Sequence, residues 1–472
     1  MKIDKLFIVL VLFSCLFVPV LHAQWEADVR LSLGSENAYT SFNHQHGLAT
    51  NGDTVHAVWF DARHGWPNAE IYYRRSFDGG ENWEAEVRLT DDTHYSGYPS
   101  IAVSGQNVHV VYFDSYNDDD NIHYMHSIDG GTTWTPDTQL TTNVLMQDLP
   151  AIAVWDSLVH IVYHDEQNGN WEVYYLRSTD SGVTWDPEVR LTNDSGWSNN
   201  AGIVVQGQYV HVTWSDDRAS ITHFDIYYKR SSDHGLTWEP DTRLTFSLNS
   251  GAPSLAMSGQ DLYISFQSER DGNTEMFFKR STNNGVDWLP DVQLTNDPAL
   301  RQMPAIAAAN GNVHIVWQDY QSSVLPEIFY KRSTDQGVTW DTDLRLTNDS
   351  LRSFWPGVAV SDSVVHVLWC DDRPGVYQIY YKRNPTGNPY AVAEYSTPHL
   401  EKHRSLIITP NPFTLHATAI GRESESFIIY DICGQRVCTV RGNEIGKDCA
   451  AGVYFVESIS NRNDIARIVK TK

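Results

Sequence analysis

The stretch Ser76-Phe77-Asp78-Gly79-Gly80-Glu81-Asn82-Trp83 decides the fold, because the chain repeats it. The pattern Ser-x-Asp-x-Gly-x-x-Trp returns from Ser127 to Trp134, Ser178 to Trp185, Ser231 to Trp238 and Ser333 to Trp340. A further copy, Ser281 to Trp288, carries Asn283 where the others carry Asp. The tryptophans stand at 83, 134, 185, 238, 288 and 340, a spacing of 50 to 53 residues that marks a repeat architecture. Within the turn, Asp78, Asp129, Asp180, Asp233, Asn283 and Asp335 are expected to accept hydrogen bonds from nearby backbone N–H groups. Glycine supplies a positive φ at little steric cost, and the tryptophan packs its ring into the sheet. A calcium loop needs several more carboxylates than this turn carries, so the six Asp-boxes are read as scaffold.

Four strand-like runs surround each box. In the second repeat they are Ser100 to Val103, Val108 to Phe113, Ile122 to Ser127 and Thr138 to Thr141. Apolar and polar residues tend to alternate along them, and turn residues separate them. Four short antiparallel strands per repeat of this length form the blade of a β-propeller. The third run occurs seven times, from Ile71-Tyr72-Tyr73 to Ile379-Tyr380-Tyr381. The seventh is followed by neither a box nor a fourth strand. Near the N-terminus, however, Val29-Arg30-Leu31-Ser32 matches Val87-Arg88-Leu89-Thr90. The expectation is an all-β chain, with a propeller of seven four-stranded blades over residues 24–383. Val29 to Ser32 would complete the last blade and leave no open sheet edge.

The flanks read differently. Residues 1–23 have the form of a signal peptide, with Lys2 and Lys5, an apolar run from Leu6 to Val20, and Leu21-His22-Ala23 before the cleavage point. The apolar run is too short to span a bilayer, so an exported chain without a transmembrane segment is expected. Pro385, Gly387, Pro389 and Pro398 mark a linker over 384–404, and the short runs of 405–472 suggest a small β-sandwich. The formal net charge is −25. Such a surface repels phosphate backbones and anionic membranes, which argues against nucleic acid as a partner. Cys370 stands alone in the repeats, whereas Cys433, Cys438 and Cys449 lie close together. One disulfide among those three is expected in an oxidising compartment, with the pairing open. No Cys/His spacing suggests zinc, and neither a metal nor a cofactor is expected.

Chemistry is sought in the loops opposite the boxes. The second-to-third loops repeat Trp-x-Asp-x-Arg, complete in Trp59-Asp61-Arg63, Trp214-Asp216-Arg218 and Trp369-Asp371-Arg373. Asp114, Asp165 and Asp319 keep the carboxylate without the arginine, and the fifth repeat has Ser268-Glu269-Arg270. One reading is a ring of charges that binds sugar hydroxyls or an acidic group. The other is an Asp–Arg brace in each loop, which repetition favours. The interblade loops differ from repeat to repeat, as a site requires. They hold Phe42, His44 and His46; His94, Tyr95 and Tyr98; Met146 and Asp148; Trp197 and Asn199; Arg301; and Arg352, Phe354 and Trp355. The candidate ligand-binding residues are Asp61, Arg63, Tyr95, Trp197, Asp216, Arg218, Arg301, Arg352, Trp355, Asp371 and Arg373. Aromatic rings beside polar groups suit carbohydrate faces, and interblade packing accounts for many of them equally well. His56, His109, His160, His211, His314 and His366 recur on the second strands and are read as scaffold, and Asp118-Asp119-Asp120 is read as a solvated loop.

The boxes resemble the bacterial neuraminidase repeat of the sialidase superfamily, over about residues 27–383. That resemblance implies a propeller. Sialidases, other glycoside hydrolases, sortilin-like receptors and further secreted proteins share the repeat, so it leaves the function open. Binding of extracellular glycans or proteins is expected first. A glycoside hydrolase, exo-sialidase-like or other, and a structural surface protein are the alternatives. The Arg-Ile-Pro motif that sialidases carry ahead of their first box does not occur, and seven blades depart from their six, so no catalytic residue is carried over. Pro410-Asn411-Pro412-Phe413, Tyr430-Asp431-x-x-Gly434 and Gly452-Val453-Tyr454-Phe455 resemble the C-terminal sorting domain of type IX secretion substrates. This implies the secretion machinery as a partner, and release or display at the surface of a bacterium with an outer membrane.

Overall fold

The computed structural model describes residues 25–388, apart from 42–45, 66, 117–118, 143–144, 221, 247–248, 271, 321–324 and 349–350, together with parts of 408–470. The signal-peptide reading, Phe42, His44 and Cys433 lie outside the described residues; of the expected disulfide, the Cys438–Cys449 pairing is not formed. Among the described residues every regular element is a β-strand. The chain divides into two compact units, Met1–Val392 and Ala393–Lys472.

The first unit holds seven antiparallel sheets, six of four strands and the first of five; in all but the last the strands run from inside to outside in chain order. Second strands such as Thr54–Asp61 and Leu158–Asp165 are buried along all but their first residue. A strand covered on both faces can be apolar throughout, so these read as continuous runs more than as alternations. The first sheet differs in that its inner strand is divided into Ala38–Tyr39 and Leu48–Asn51, both paired with Thr54–Asp61. Each inner strand neighbours the next, and Leu48–Asn51 lies between Tyr95–Ser104 and Ser353–Ser361, so the ring closes on the inside. It also closes on the outside. Val29 and Arg30 pair with Tyr381 and Tyr380, completing the sheet of Ser353–Ser361, Val364–Asp371 and Gln378–Asn384.

Adjacent sheets are joined by one repeated contact. The box tryptophan of each blade meets the third-strand aromatic ring of the preceding blade edge-on. Trp134 stands 5.0 Å from Tyr73 at 73°, and Trp185 stands 5.0 Å from Tyr124 at 80°. Trp83 closes the circle on Tyr381 at 4.9 Å and 75°. The seventh such pair involves no box. Trp25 stands 5.0 Å from Tyr330 at 78°. It precedes Val29 by the same four residues that separate Trp83 from Val87, so Trp25-Glu26-Ala27-Asp28-Val29-Arg30-Leu31 repeats Trp83-Glu84-Ala85-Glu86-Val87-Arg88-Leu89. The N-terminal segment therefore supplies both the missing strand and the missing tryptophan.

The boxes themselves satisfy their turns locally. Ser76 Oγ accepts from Gly80 N–H at 2.9 Å, while Asp78 Oδ1 accepts from Asn82 N–H at 2.8 Å. The Asn82 backbone N–H first, then its side-chain amide and the Ser76 hydroxyl, hold the Asp78 carboxyl down to about 2. The Asn283 copy keeps the geometry through a second exchange. Asn283 Oδ1 accepts from Asp287 N–H at 2.9 Å, and its amide donates to the Asp287 carboxylate at 3.0 Å, whereas in the other boxes the fourth residue on is the donor. Glycine is required at Gly131: its φ is +86°, and a Cβ there would stand 2.2 Å from Tyr73 Oη.

The recurrent histidines lie behind these tyrosines. His109 Nδ1 and Tyr124 Oη are 2.6 Å apart, as are His160 and Tyr175, and His211 and Tyr228. In the fifth blade both partners change together, to Tyr263 and Phe278. Burial pushes His109, His160, His211, His314 and His366 down to about 3 and His56 to about 4.

The second unit contains a four-stranded antiparallel sheet of Arg436–Arg441, Ser426–Tyr430, Gly452–Ser458 and Ile465–Lys470, and a two-stranded ladder of Ile408–Thr409 with Thr418–Ala419. Ala417, Phe427, Ile429, Ile445 and Val456 form its core.

Two outcomes follow from this packing. Trp25→Ala removes the seventh interblade ring and is expected to lower the stability of the propeller by about 2–3 kcal/mol, read from the urea midpoint. The buried histidines bind fewer protons folded than unfolded, so their contribution is complete above the unfolded value near 6.5 and is lost as pH falls below it. Each withdraws up to about 1.4 kcal/mol per pH unit. The melting temperature should fall steeply between pH 7 and pH 5, and a flat profile would contradict neutral burial.

Candidate functional site

On the face opposite the boxes, every inner strand after the first begins with a β-bulge. Register shifts lie between Gly97 and Ser100, Asp148 and Ala151, Asn199 and Gly202, Gly251 and Ser254, Gln302 and Ala305, and Phe354 and Gly357. The bulge residue is Tyr98, Leu149, Asn200, Ala252, Met303 or Trp355, each with a positive φ between 46° and 58°. All but Asn200 precede a proline: Pro99, Pro150, Pro253, Pro304 and Pro356. Proline inside a sheet is confined to edges and bulges, so this x-Pro recurrence was the sequence signal for the feature. Later blades brace the bulge from their predecessors. Ser215 Oγ accepts from Ala252 N–H, Gln267 from Met303 N–H and Gln318 from Trp355 N–H, each at 3.2 Å. In the first blade the acceptor is Cys370 Sγ, 3.0 Å from Thr40 N, and burial pushes that thiol up to about 12. The lone cysteine is thereby a scaffold residue.

The bulges are alike in backbone and unlike in side chain, which makes the face asymmetric. Over the seventh, first and second blades, rings follow one another in contact. Tyr98 and Tyr95 meet both Phe113 and Phe60 at 5.4–5.9 Å. Phe60 stacks on Tyr39 at 5.2 Å, and Tyr39 lies 6.0 Å from Trp355 and 5.3 Å from Tyr377. Phe354 closes on Trp355 at 5.0 Å and on Tyr377 at 5.1 Å. A cavity of about 380 Å³ opens at the end of this arc, lined by Tyr39, Gln318, Tyr320, Pro326, Arg352, Phe354, Trp355 and Tyr377. Arg352 is exposed there. Its backbone N–H donates to Asp372 at 2.6 Å and its guanidinium to Tyr377 Oη at 3.2 Å. Among the described residues no carboxylate pairs with its side chain. At the other end of the arc stands Asp148, which precedes the bulge residue Leu149. Burial first, and the charge of Asp120 second, push its carboxyl up to about 7. Burial likewise raises Tyr95 and Tyr98, to which the Asp148 charge adds.

The repeated charges on the same face are differently engaged. Asp61, Asp216 and Asp371 are fully buried. Arg218 Nη2 lies 2.5 Å from Asp216 and Nη1 2.6 Å from Asp241, with the guanidinium over the Tyr227 ring at 4.6 Å. Arg63 bridges Asp61 and Glu86 over Tyr72, and Arg373 bridges Asp371 and Asp28 over Tyr380. Arg301 is fully buried between Glu275 at 2.6 Å and Asp319 at 2.7 Å, with Asp297 as its third partner. In the ligand-free protein these guanidiniums hold loops. Trp197 is 51% exposed and lines a second cavity of about 450 Å³ with Asp217, Arg218 and Phe224. The central channel is walled by aliphatic residues such as Ile152, Ile203, Leu255 and Ile306, a repeated surface with His46 and Thr50 as its polar side chains among the described residues. The aromatic arc with Arg352 is thus where apolar floor and convergent polar groups coincide.

With this geometry in place, the likenesses to known proteins fall on the propeller. Residues 149–367 match the model of the BNR repeat-like domain. Among solved structures, an ulvan lyase of a polysaccharide lyase family, bound to -[GlcA(1-4)Rha3S]-, aligns at 11% identity with a TM-score of 0.53, over 75% of this chain and 95% of its own. The polysaccharide lyase Uly1 aligns at 10% identity and 0.51, over 77% of this chain and 100% of its own. A Hadza microbial sialidase aligns at 14% identity and 0.44, over 70% and 74%. No curated protein matches the sequence. The two polysaccharide lyases share the propeller fold of this chain, and its residues 149–367 are similar to BNR repeats.

Arg218→Gln would strip the buried Asp216 of its counter-charge. Breaking a pair of this kind costs roughly 3 kcal/mol, so the variant should unfold at markedly lower urea while Arg352→Gln leaves the midpoint unchanged.

Proposed function

We propose that the propeller binds an acidic extracellular polysaccharide in the aromatic cleft between its seventh and second blades. The observation that carries this reading is the exposed guanidinium of Arg352 beside half-buried Phe354, Trp355 and Tyr377. In a chain of net charge −25, a cation without a carboxylate partner among the described residues is suited to an anion brought by a ligand. Aromatic faces next to it suit the C–H faces of sugar rings. The polysaccharide lyases that share the fold support the ligand class, one of them holding an alternation of uronate and sulfated sugar.

A second reading, turnover of the same polysaccharide, is favoured by Asp148. A carboxyl held near 7 is half protonated at neutral pH, the state in which a side chain exchanges protons with substrate efficiently. The tail is proposed to act in export, as its likeness to the type IX sorting domain implies, with the signal peptide directing the first membrane crossing.

Calorimetry against uronate-containing and neutral oligosaccharides tests the main reading. Acidic chains should bind and weaken with salt, because the Arg352 contact is screened. Trp355→Ala and Arg352→Gln should each lower affinity about tenfold or more, equivalent to about 1.4 kcal/mol. Equal binding of neutral chains, or unchanged affinity in both variants, would reject the site. Release of new chain ends, abolished by Asp148→Asn with binding retained, would add the second reading. Truncation before residue 405 should stop export and leave affinity unchanged.

A further inference from the structure

The structure brings Asp92, His94 and Asp114 together in the second blade, with one ligand atom from each lying within 4.8 Å of the others. Asp92 and His94 belong to the loop that enters Tyr95–Ser104, and Asp114 lies in the second strand, Asn107–Tyr116. The Asp114 side chain is 5% exposed. Ser96 Oγ donates to its Oδ2 at 2.7 Å, which leaves Oδ1 turned toward His94.

Other blades show what this position asks for. In the fourth, the two equivalent carboxylates, Asp194 and Asp216, close on the Arg218 guanidinium at 2.7 and 2.5 Å. In the sixth, Asp297 and Asp319 close on Arg301. A cation between the two carboxylates is thus part of the blade. The second blade keeps both carboxylates and has no arginine at either position. Arg88 is occupied by Glu70 and Asp91, and His123 by Asp137.

In the second blade the His94 imidazole lies between the two carboxylates, and the Asp92 Oδ1 that faces it also accepts the His94 backbone N–H at 2.7 Å. His94 Nδ1 stands 3.3 Å from Asp114 Oδ1 and 3.6 Å from Asp92 Oδ1. These separations are longer than the charge-assisted hydrogen bonds of about 2.7–2.9 Å expected of an imidazolium pair. They match the edge of a tetrahedron, about 3.4 Å, around a cation with metal–ligand bonds of about 2.0–2.1 Å. We infer that Asp92, His94 and Asp114 bind a divalent transition cation, zinc foremost, in the place that arginine fills in the fourth and sixth blades. One imidazole and two carboxylates suit zinc or manganese better than calcium, whose ligands are oxygens. Three side chains leave a fourth position to water on the exposed Asp92 side. The cation would also anchor the loop that carries Tyr95 into the aromatic arc.

The test uses the untagged protein, stripped by chelator and titrated with Zn²⁺, with Ca²⁺ as the control. About one Zn²⁺ per chain should bind and raise the melting temperature, as a ligand of the folded state must. Asp92→Asn and His94→Ala, both at partly exposed positions, should each weaken Zn²⁺ binding about tenfold to a hundredfold and abolish the thermal shift. Circular dichroism of the two variants reports that the fold is intact, and the anomalous signal of zinc-soaked crystals reports the position. No saturable Zn²⁺ binding, or binding that both variants retain, would overturn the assignment.

Discussion

The edge-on contact between each box tryptophan and the aromatic ring of the blade before it sets the spacing from which the ring is built. Trp83 on Tyr381, Trp134 on Tyr73 and Trp25 on Tyr330 share one geometry, at 4.9–5.0 Å and 73–78°. Such a pair contributes about 0.5–1.5 kcal/mol beyond its area. Seven pairs together rival the net stability of an ordinary domain, about 5–15 kcal/mol. The contact also explains the box. Glycine stands at Gly131 because the Tyr73 hydroxyl occupies the place of a Cβ. Serine and aspartate bind the turn to itself, so the tryptophan is presented at a constant angle.

A constraint this uniform divides the molecule by face. On the box side any change disturbs an interblade contact, and the turns stay alike. On the opposite side the bulges fix only backbone direction, because a positive φ and a following proline aim the strand without specifying the side chain. Tyr98 and Trp355 can therefore flank one half of the mouth while Asn200 and Ala252 line another. The aromatic arc is chemistry placed on positions that the scaffold leaves undetermined.

Charge obeys the same division. Most carboxylates at the ends of the second strands are buried and compensated, as Asp216 is by Arg218 and Asp319 by Arg301. A buried charge that lost its partner would cost several kcal/mol, and four of the blades supply an arginine, to Asp61, Asp216, Asp319 and Asp371. Arg352 and Asp114 are the exceptions that matter. Arg352 has a guanidinium without a carboxylate among the described residues, and Asp114 has a second carboxylate, Asp92, where its counterparts have a guanidinium between them.

The propeller was legible in the chain because a repeat writes its contacts in a constant order. Spacing of the boxes, the strand runs around them, and the match of Val29 to Val87 follow from short-range rules of turns and alternation. The role of Trp25 was missed, although Trp-Glu-Ala-x-Val-Arg-Leu carries it, because it stands without a box to mark it. The candidate site was legible only in part. Sequence placed Tyr95, Arg352 and Trp355 in variable loops, but it also ranked Arg63, Arg218, Arg301 and Arg373 beside them, since an arginine in a loop looks the same whether paired or free. Their partners Glu86, Asp241 and Asp28 each stand just before a fourth strand and Glu275 begins a third, so the pairing is set by how the strands align. Asp92 and Asp114, 22 residues apart, meet because Ser96 pairs with Asp114 within one sheet, whereas Phe60 and Trp355, nearly 300 apart, are both brought against Tyr39 by closure of the ring. Local order in the sequence determined the blade, whereas the meeting of side chains from different blades was decided by the tertiary structure, because only the closed circle defines what faces its mouth.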